Sequence, residues 1–123
     1  MILIDSDIFI DHFRNYAPAT RLFESLKGEE VIFSAITETE IVAGQQCSLP
    51  DKKSAVLQFL HQWKKSEVTN AVAVLAGDLV RTFGIPLADS VLAATALLHG
   101  ATVYTKNTKD FRRVKDLKVK VPY

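Results

Sequence analysis

The sequence predicts an α/β protein, a three-layer α/β/α sandwich with a mainly parallel central sheet. The chain opens on four consecutive apolar residues, Met1–Ile4, which are typical of a strand buried on both faces. Short apolar runs then alternate with helical patterns, as expected for parallel strands joined by helical crossovers. A length of 123 residues and a hydrophobic content of 48% suit one globular domain, residues 1–123.

Local signals place the elements of the first half of the chain. Ser6 and Asp7 are residue types that cap helix N-termini, Pro18 suits the first turn of a second helix, and Gly28 suits its end. The predicted elements are, in order, strand Met1–Ile4, helix Ile8–Arg14, the helix opened by Pro18, strand Val31–Phe33, a helix carrying Glu40, and a helix with Val56, Phe59, Leu60 and Trp63 on one face.

The second half begins with the clearest amphipathic pattern in the chain. Apolar residues recur there at helical spacing: Val72, Leu75, Ala76, Leu79, Val80 and Phe83. Gly84-Ile85-Pro86 ends that helix, and a helix of small residues follows from Leu87 to Leu98. Strand Ala101–Thr105, a loop and a short last strand, Leu117–Val121, complete the prediction.

Composition excludes several classes of protein. No apolar run approaches the ~20 residues of a membrane span, and the N-terminal run stops at Asp5 without a basic region before it, unlike a signal peptide. A single cysteine, Cys47, excludes a disulfide framework and a cysteine-based zinc site. We therefore expect a cytoplasmic protein that does not associate with membranes.

Charge is distributed unevenly along the chain. Residues 106–123 carry seven Lys or Arg against two Asp, a net charge of +5, whereas the remaining eight basic and twelve acidic residues leave the rest at −4. A basic segment on an acidic body can attract a polyanion. The alternative is a solvated, lysine-rich C-terminal segment without a function.

Four acidic residues follow strands or begin helices. Asp5 ends the first strand, and Glu40 is expected just inside the helix after the second strand. Asp89 lies near the start of the small-residue helix, and Asp110 follows the strand Ala101–Thr105. In a parallel sheet these positions share one edge, where ligands collect. Each acid alone could simply complement a helix dipole, but together they predict a shared site.

Four motifs carry a resemblance to a known family. They are Leu3-Ile4-Asp5-Ser6-Asp7 leading to Ile10-Asp11, Ser34-Ala35-Ile36-Thr37-Glu38-Thr39-Glu40-Ile41, Pro86-Leu87-Ala88-Asp89-Ser90-Val91-Leu92-Ala93-Ala94, and Thr105-Lys106-Asn107-Thr108-Lys109-Asp110-Phe111. In this order, and over nearly the whole chain, they resemble the PIN domain family and specifically the VapC-like toxin nucleases of bacterial and archaeal toxin–antitoxin pairs.

The resemblance implies a set of site residues. Asp5, Glu40, Asp89 and Asp110 would form the catalytic, metal-binding acidic quartet, with support from Ser6, Asp7, Thr105 and Asn107. Asp7 departs from the family, because relatives often have Asn or another small polar residue there. The resemblance further implies a cognate VapB-like antitoxin as partner and a homodimer.

The chemistry of these residues agrees with that implication. Clustered carboxylates repel one another and gather cations, and oxygen ligands select hard ions, here Mg²⁺ or Mn²⁺. The expected activity is metal-dependent hydrolysis of RNA phosphodiester bonds. Asp5 and Asp89 are expected to bind metal directly, Glu40 to hold a bound water or a second ion, and Asp110 to orient water or act as base. The basic residues beside this edge are expected to bind RNA phosphates: Lys106, Lys109, Arg112 and Arg113.

Other interpretations remain open at this point. The protein could be a non-toxin PIN nuclease of RNA processing, or a module that binds RNA or protein without cleaving it. The motif Asp5-Ser6-Asp7 also matches the Asp-x-Asp strand end of phosphatases in which the first Asp is phosphorylated. Apolar residues that could form a partner surface are mostly expected in the core: Ile8, Phe9, Phe13, Leu22, Phe23 and Trp63.

Overall fold

Five strands form one sheet in the computed structural model, which describes residues 1–123, and six α-helices surround that sheet. The strands are β1 (Ile2–Ile4), β2 (Val31–Ser34), β3 (Lys64–Ser66), β4 (Thr102–Tyr104) and β5 (Lys118–Lys120). The helices are α1 (Ser6–Phe13), α2 (Ala17–Ser25), α3 (Ala35–Val42), α4 (Pro50–Leu60), α5 (Asn70–Phe83) and α6 (Leu87–His99), and short 3₁₀ turns span Gln45–Cys47 and Phe111–Arg113.

The sheet is parallel throughout, with strand order β3-β2-β1-β4-β5. The central strand β1 sets Leu3 opposite Ile32 of β2 and opposite Val103 of β4. Because all strands run the same way, their carboxyl ends lie at one edge of the sheet. The predicted parallel α/β sandwich is confirmed.

Alternating side chains of the strands build a core on each face of the sheet. Leu3, Ile32 and Val103 belong to the core beneath α5 and α6. Ile4 and Phe33 belong to the opposite core, with residues of α1, α2 and α4. Both faces are therefore covered, which explains why the strands are apolar without a polar face.

The polar edge strand β3 was not predicted. Its sequence, Lys64-Lys65-Ser66, has no apolar alternation, and it pairs only with β2, setting Lys65 opposite Phe33. Charged residues on an edge strand discourage pairing with another chain. The helix before it ends at Leu60, so Trp63 lies beyond that helix and not on its face.

Most of the apolar side chains considered for a partner surface lie in the core, as expected. Ile8, Phe9 and Phe23 are buried, whereas Phe13 and Leu22 are only partly buried. No single helix is long and apolar enough to cross a bilayer; α5 and α6 meet that requirement only as a pair bent by 118°.

Candidate active site

Asp5 lies at the junction of β1 and α1 and acts as the N-cap of the helix. Its Oδ1 accepts a hydrogen bond from the backbone N–H of Ser6 at 2.7 Å, so α1 begins at Ser6. The prediction that Ser6 and Asp7 cap this helix is therefore wrong: Asp5 caps it. The register that pairs Ile4 with Tyr104 sets Asp5 beside Thr105, whose hydroxyl donates to Asp5 Oδ2 at 2.8 Å.

Asp5 is nearly inaccessible, with a relative exposure of the whole residue of 7%. Burial raises its pKa above the ordinary value, and the negative charge of Asp89 adds to that rise. The hydrogen bonds from Thr105 and Ser6 act in the opposite direction, because they stabilise the ionised form. Asp5 is thus held in one orientation while its charge is disfavoured.

Asp7 lies one residue into α1 and has two unequal oxygens. Its Oδ2 accepts a hydrogen bond from the backbone N–H of Lys106 at 2.9 Å and lies 3.4 Å from the Thr105 hydroxyl. Its Oδ1 is buried and has no hydrogen-bond partner. Burial and the charge of Asp5 raise the pKa of Asp7 to about 6.

Glu40 and Asp89 enter the site from two further helices. Asp89 lies half-buried in the first turn of α6, as expected. The expectation that Glu40 lies just inside its helix is wrong: α3 begins at Ala35, directly after β2, so Glu40 lies near the end of α3, at the exposed rim. Burial of the inner side of Glu40, followed by the charges of Asp5 and Asp89, raises its pKa. For Asp89, burial and then the charges of Asp110 and Asp7 raise the pKa. The acids therefore act on one another electrostatically.

Asp110 lies on the loop after β4. The loop is anchored by the fully buried Phe111, and Asp110 stands directly before that residue. Arg113 approaches Asp110 loosely, with Nη1 at 3.9 Å from Oδ1. Because the charge of Asp110 contributes to the raised pKa of Asp89, this acid also faces the shared site.

Thr105 and Asn107 support the acids as a connected pair. Thr105 is fully buried, donates to Asp5 and accepts a hydrogen bond from the backbone N–H of Asn107 at 3.0 Å. Ser6 lies half-buried, with its hydroxyl 3.4 Å from Asp5 Oδ1. A hydrogen bond from the same hydroxyl counteracts the rise in the pKa of Glu40.

The acids converge without closing a metal site. As the side chains stand, no group of three His, Cys, Asp or Glu side chains is close enough together to hold an ion. The candidate ligands nevertheless fit a hard divalent cation, because they are all carboxylate oxygens. One of them, Asp7 Oδ1, is buried and has no hydrogen-bond partner. Several carboxylates sharing one ion would have to change rotamer.

The four basic residues expected beside the site fall into two groups. Lys109, Arg112 and Arg113 are exposed. Lys106 is also exposed, but its ammonium donates to Asp11 Oδ2 at 2.9 Å and is already paired.

Three residues around Lys106 were not among the predicted site residues. Asp11 closes the first of the four motifs but was not assigned to the site, and Tyr16 and Tyr123 had no signal in the sequence. The ammonium of Lys106 lies 5.1 Å from the centre of the Tyr16 ring and 5.3 Å from that of Tyr123. These contacts join chain segments far apart in sequence, which no local pattern reveals.

A separate groove lies at the other end of α1. It encloses about 620 Å³ between the C-terminal end of α1, the 3₁₀ turn Gln45–Cys47 and α4. Its lining mixes aromatic and polar side chains: His12, Phe13, Asn15, Gln45, Gln46, Lys52, Ala55, Val56 and Phe59. His12 stacks on Phe59 with ring centres 4.2 Å apart, so the groove has an ordered aromatic wall.

Comparison with known proteins gives concordant results. The family model described as PIN domain matches residues 2–117. Ribonuclease VapC19 of Mycobacterium tuberculosis is 32% identical over 124 residues, covering 95% of this chain and 97% of that protein.

Solved structures give the same result. A toxin–antitoxin complex from Klebsiella pneumoniae contains a chain with TM-score 0.83 and 26% identity, covering 100% of this chain and 98% of that one. FitAcB from Neisseria gonorrhoeae has TM-score 0.80 and 29% identity, covering 99% and 98%.

Proposed function

Since this chain belongs to the PIN domain family, we propose that it is a metal-dependent ribonuclease, the toxin of a toxin–antitoxin pair. The relatives reported above include a protein named ribonuclease VapC19 and a toxin–antitoxin complex. The observation that carries the proposal is the meeting of acidic side chains from four chain segments at the carboxyl edge of the sheet: Asp5, Asp7, Glu40, Asp89 and Asp110.

Raised pKa values support a cation at this edge. Burial and the charges of neighbouring acids raise the pKa of four of these carboxyls: Asp5, Asp7, Glu40 and Asp89. A divalent cation removes that penalty more effectively than protons do at neutral pH. Asp5 and Asp89 would hold Mg²⁺ or Mn²⁺ directly, with Glu40 and Asp110 around them. When bound, such an ion lowers the pKa of water and neutralises charge developing on a phosphodiester.

The remaining chemistry belongs to residues of the chain. Hydrogen bonds from Ser6 and Thr105 keep the Asp5 carboxylate in a fixed orientation, so it needs no reorganisation during the reaction. Glu40 and Asp110 orient the attacking water, and Asp110 accepts its proton. The reaction breaks the bond between phosphorus and the leaving ribose oxygen, which takes up a proton from solvent, and water supplies the new oxygen on phosphorus.

Exposed cations beside Asp110 bind the RNA backbone. Lys109, Arg112 and Arg113 lie on the same loop and 3₁₀ turn as Asp110, and all three are exposed. Contacts of this type position a strand through its phosphates without reading sequence. The net charge of +5 on residues 106–123 favours RNA binding at this side of the molecule.

The partners proposed are a VapB-like antitoxin and a second copy of the chain, acting in the cytoplasm. The separate groove between the C-terminal end of α1 and α4 offers about 620 Å³ for an antitoxin segment. Light scattering on the free protein and on the co-expressed pair tests both partners. A monomer at micromolar concentration would contradict the dimer, and failure to bind any co-encoded antitoxin would contradict the pairing.

Cleavage of total RNA by the purified protein tests the activity. We expect cleavage with Mn²⁺, none in EDTA, and a loss of at least about 100-fold in Asp89→Asn. Asp51→Asn is the matched control, because Asp51 also lies in the first turn of a helix, α4, but is exposed and outside the site. Mapping the new RNA ends then identifies the cleavage position.

Three results would overturn the proposal. Cleavage that persists in EDTA would refute the metal dependence. Undiminished cleavage by Asp89→Asn would refute the assignment of the acidic site. A phosphoenzyme trapped on Asp5 would favour an Asp-based phosphatase instead. As an independent measurement, Mn²⁺ should raise the melting temperature of the wild type, since a ligand that binds only the folded state stabilises it.

A further inference from the structure

Lys106 is attached to α1 at two places. Its backbone N–H donates to Asp7 Oδ2 at 2.9 Å, and its ammonium donates to Asp11 Oδ2 at 2.9 Å. Asp7 and Asp11 lie four residues apart on α1, so their side chains lie on the same face, one turn apart. One residue of the loop after β4 therefore spans a full turn of the helix that carries Asp7.

Two tyrosines complete the surroundings of the Lys106 ammonium. The hydroxyl of Tyr123 donates to Asp11 Oδ2 at 2.7 Å, so one carboxylate oxygen accepts two hydrogen bonds. The rings of Tyr16 and Tyr123 lie 5.8 Å apart, and the ammonium lies within 5.3 Å of both ring centres. We call Asp11, Tyr16, Lys106 and Tyr123 the lysine clamp. Attraction between a cation and aromatic faces adds to the ion pair.

The segment held by the lysine clamp is the one that contacts the acids. Strand β4 ends at Tyr104, and the next three residues belong to no helix or strand. In this segment Thr105 donates to Asp5, Lys106 donates to Asp7, and Asn107 donates to the Thr105 hydroxyl. Besides the Thr105 hydroxyl, the segment has a second side-chain anchor, the contact of Lys106 with Asp11.

We propose that Lys106 is a positioning residue, which acts through the lysine clamp to hold residues 105–107 against α1 and so orients the carboxylates of Asp5 and Asp7. In this assignment its ammonium serves Asp11 and the two rings and not the RNA backbone. The kinetic part of the test rests on the ribonuclease function proposed above, whereas the exchange measurement described below does not.

Asp11→Ala, Lys106→Met and the double variant test the proposal through RNA cleavage kinetics. Each single change should lower kcat about 10- to 100-fold, the scale expected when catalytic groups are misplaced, and leave KM within about twofold. The double variant should be no slower than the slower single variant, because both remove one interaction. Tyr123→Phe deletes only the hydroxyl that contacts Asp11 and should give a smaller loss of the same kind.

Asp78→Ala is the control, because it removes an aspartate paired at 2.8 Å with Arg81 on α5. It should leave kcat and KM unchanged. The proposal would be overturned if Lys106→Met raised KM without changing kcat while Asp11→Ala, which frees the ammonium, lowered KM. That result would identify Lys106 as a phosphate ligand. Additive losses in the double variant would also overturn it.

Hydrogen exchange gives an answer that needs no enzyme activity. In Asp11→Ala, a peptide covering residues 104–108 should exchange its amide hydrogens faster than in the wild type and in Asp78→Ala. Once the segment is no longer held, the hydrogen bonds donated by the N–H groups of Lys106 and Asn107 should open more often. Unchanged exchange refutes the lysine clamp. A wild type that cleaves no RNA refutes the proposed function, and the exchange result still decides on the lysine clamp.

Discussion

Replacing Asp7 by asparagine should stabilise the protein above neutral pH. Asp7 has a buried oxygen without a partner, and burial together with the charge of Asp5 raises its pKa to about 6 from 3.8. Asparagine keeps an oxygen that can accept from the Lys106 N–H but carries no charge. The same change also relieves Glu40 and Asp89, whose pKa values the Asp7 charge helps to raise.

The sign and size follow from proton linkage. Between pH 3.8 and about 6 the folded protein keeps a proton on Asp7 that the unfolded chain has lost, so the wild type loses stability as the pH rises through this range. At about 1.4 kcal/mol per pKa unit the full difference is about 3 kcal/mol. Water at the open side of the cleft screens part of it, so we expect Asp7→Asn to gain about 2 kcal/mol at pH 8.

Urea unfolding in EDTA, at pH 8 and again at pH 4, measures this gain directly. At pH 4 the gain should fall below about 1 kcal/mol, because the wild-type carboxyl is then protonated in the folded state. The control Asp51→Asn should stay within about 0.5 kcal/mol of the wild type at both pH values, as expected for an exposed position. A loss of stability in Asp7→Asn at pH 8, or a gain that does not depend on pH, would refute the reasoning.

Two further predictions concern single contacts and backbone geometry. Thr105→Val keeps the shape of a fully buried side chain but removes its hydrogen bond to Asp5, so urea unfolding should show a loss of about 1.5–3 kcal/mol. Thr39→Val, at an exposed position, should change the free energy of unfolding by less than about 0.5 kcal/mol, and equal losses would contradict the role of Thr105. Gly77 is exposed within α5 and has nothing within 4 Å of an added methyl, so Gly77→Ala should raise the free energy of unfolding by about 0.5–1 kcal/mol. Gly84 has a φ of +66°, so Gly84→Ala should lower the free energy of unfolding by about 1–2 kcal/mol. Thermal melting of both glycine variants checks these signs. Shifts of the melting temperature in the same direction for Gly77→Ala and Gly84→Ala would contradict this prediction.

Much of the fold could be predicted because its signals are local. The four consecutive apolar residues Met1–Ile4 predicted a strand covered on both faces, and the structure buries Leu3 and Ile4 completely. The pattern from Val72 to Phe83 predicted α5, which spans Asn70–Phe83. The PIN domain resemblance, which four motifs in order indicated, is confirmed. Such patterns reflect burial and helix periodicity, which act within a few residues.

The structure also brings the predicted acids to one edge, because parallel strands end on the same side of the sheet. Asp5, Glu40 and Asp89 influence one another's charge although they are far apart in the chain. The metal ligands and their division of roles stay predictions. Convergence could be predicted from the parallel direction of the strands, whereas the distances between carboxylates depend on rotamers, which no sequence pattern specifies.

Other features were decided only by the tertiary structure. The strand β3 is polar and exists because the edge of β2 offers hydrogen-bond partners, not because its own residues favour a strand. Asp5 caps α1 because the register with β4 already places it beside Thr105. Lys106 and Tyr123 both contact Asp11 because helix, loop and C-terminal segment meet there, although they lie 95 and 112 positions after Asp11 in the sequence. Local sequence specifies elements through short-range energetics, but such pairings arise only once the folded chain brings distant segments within reach of a hydrogen bond.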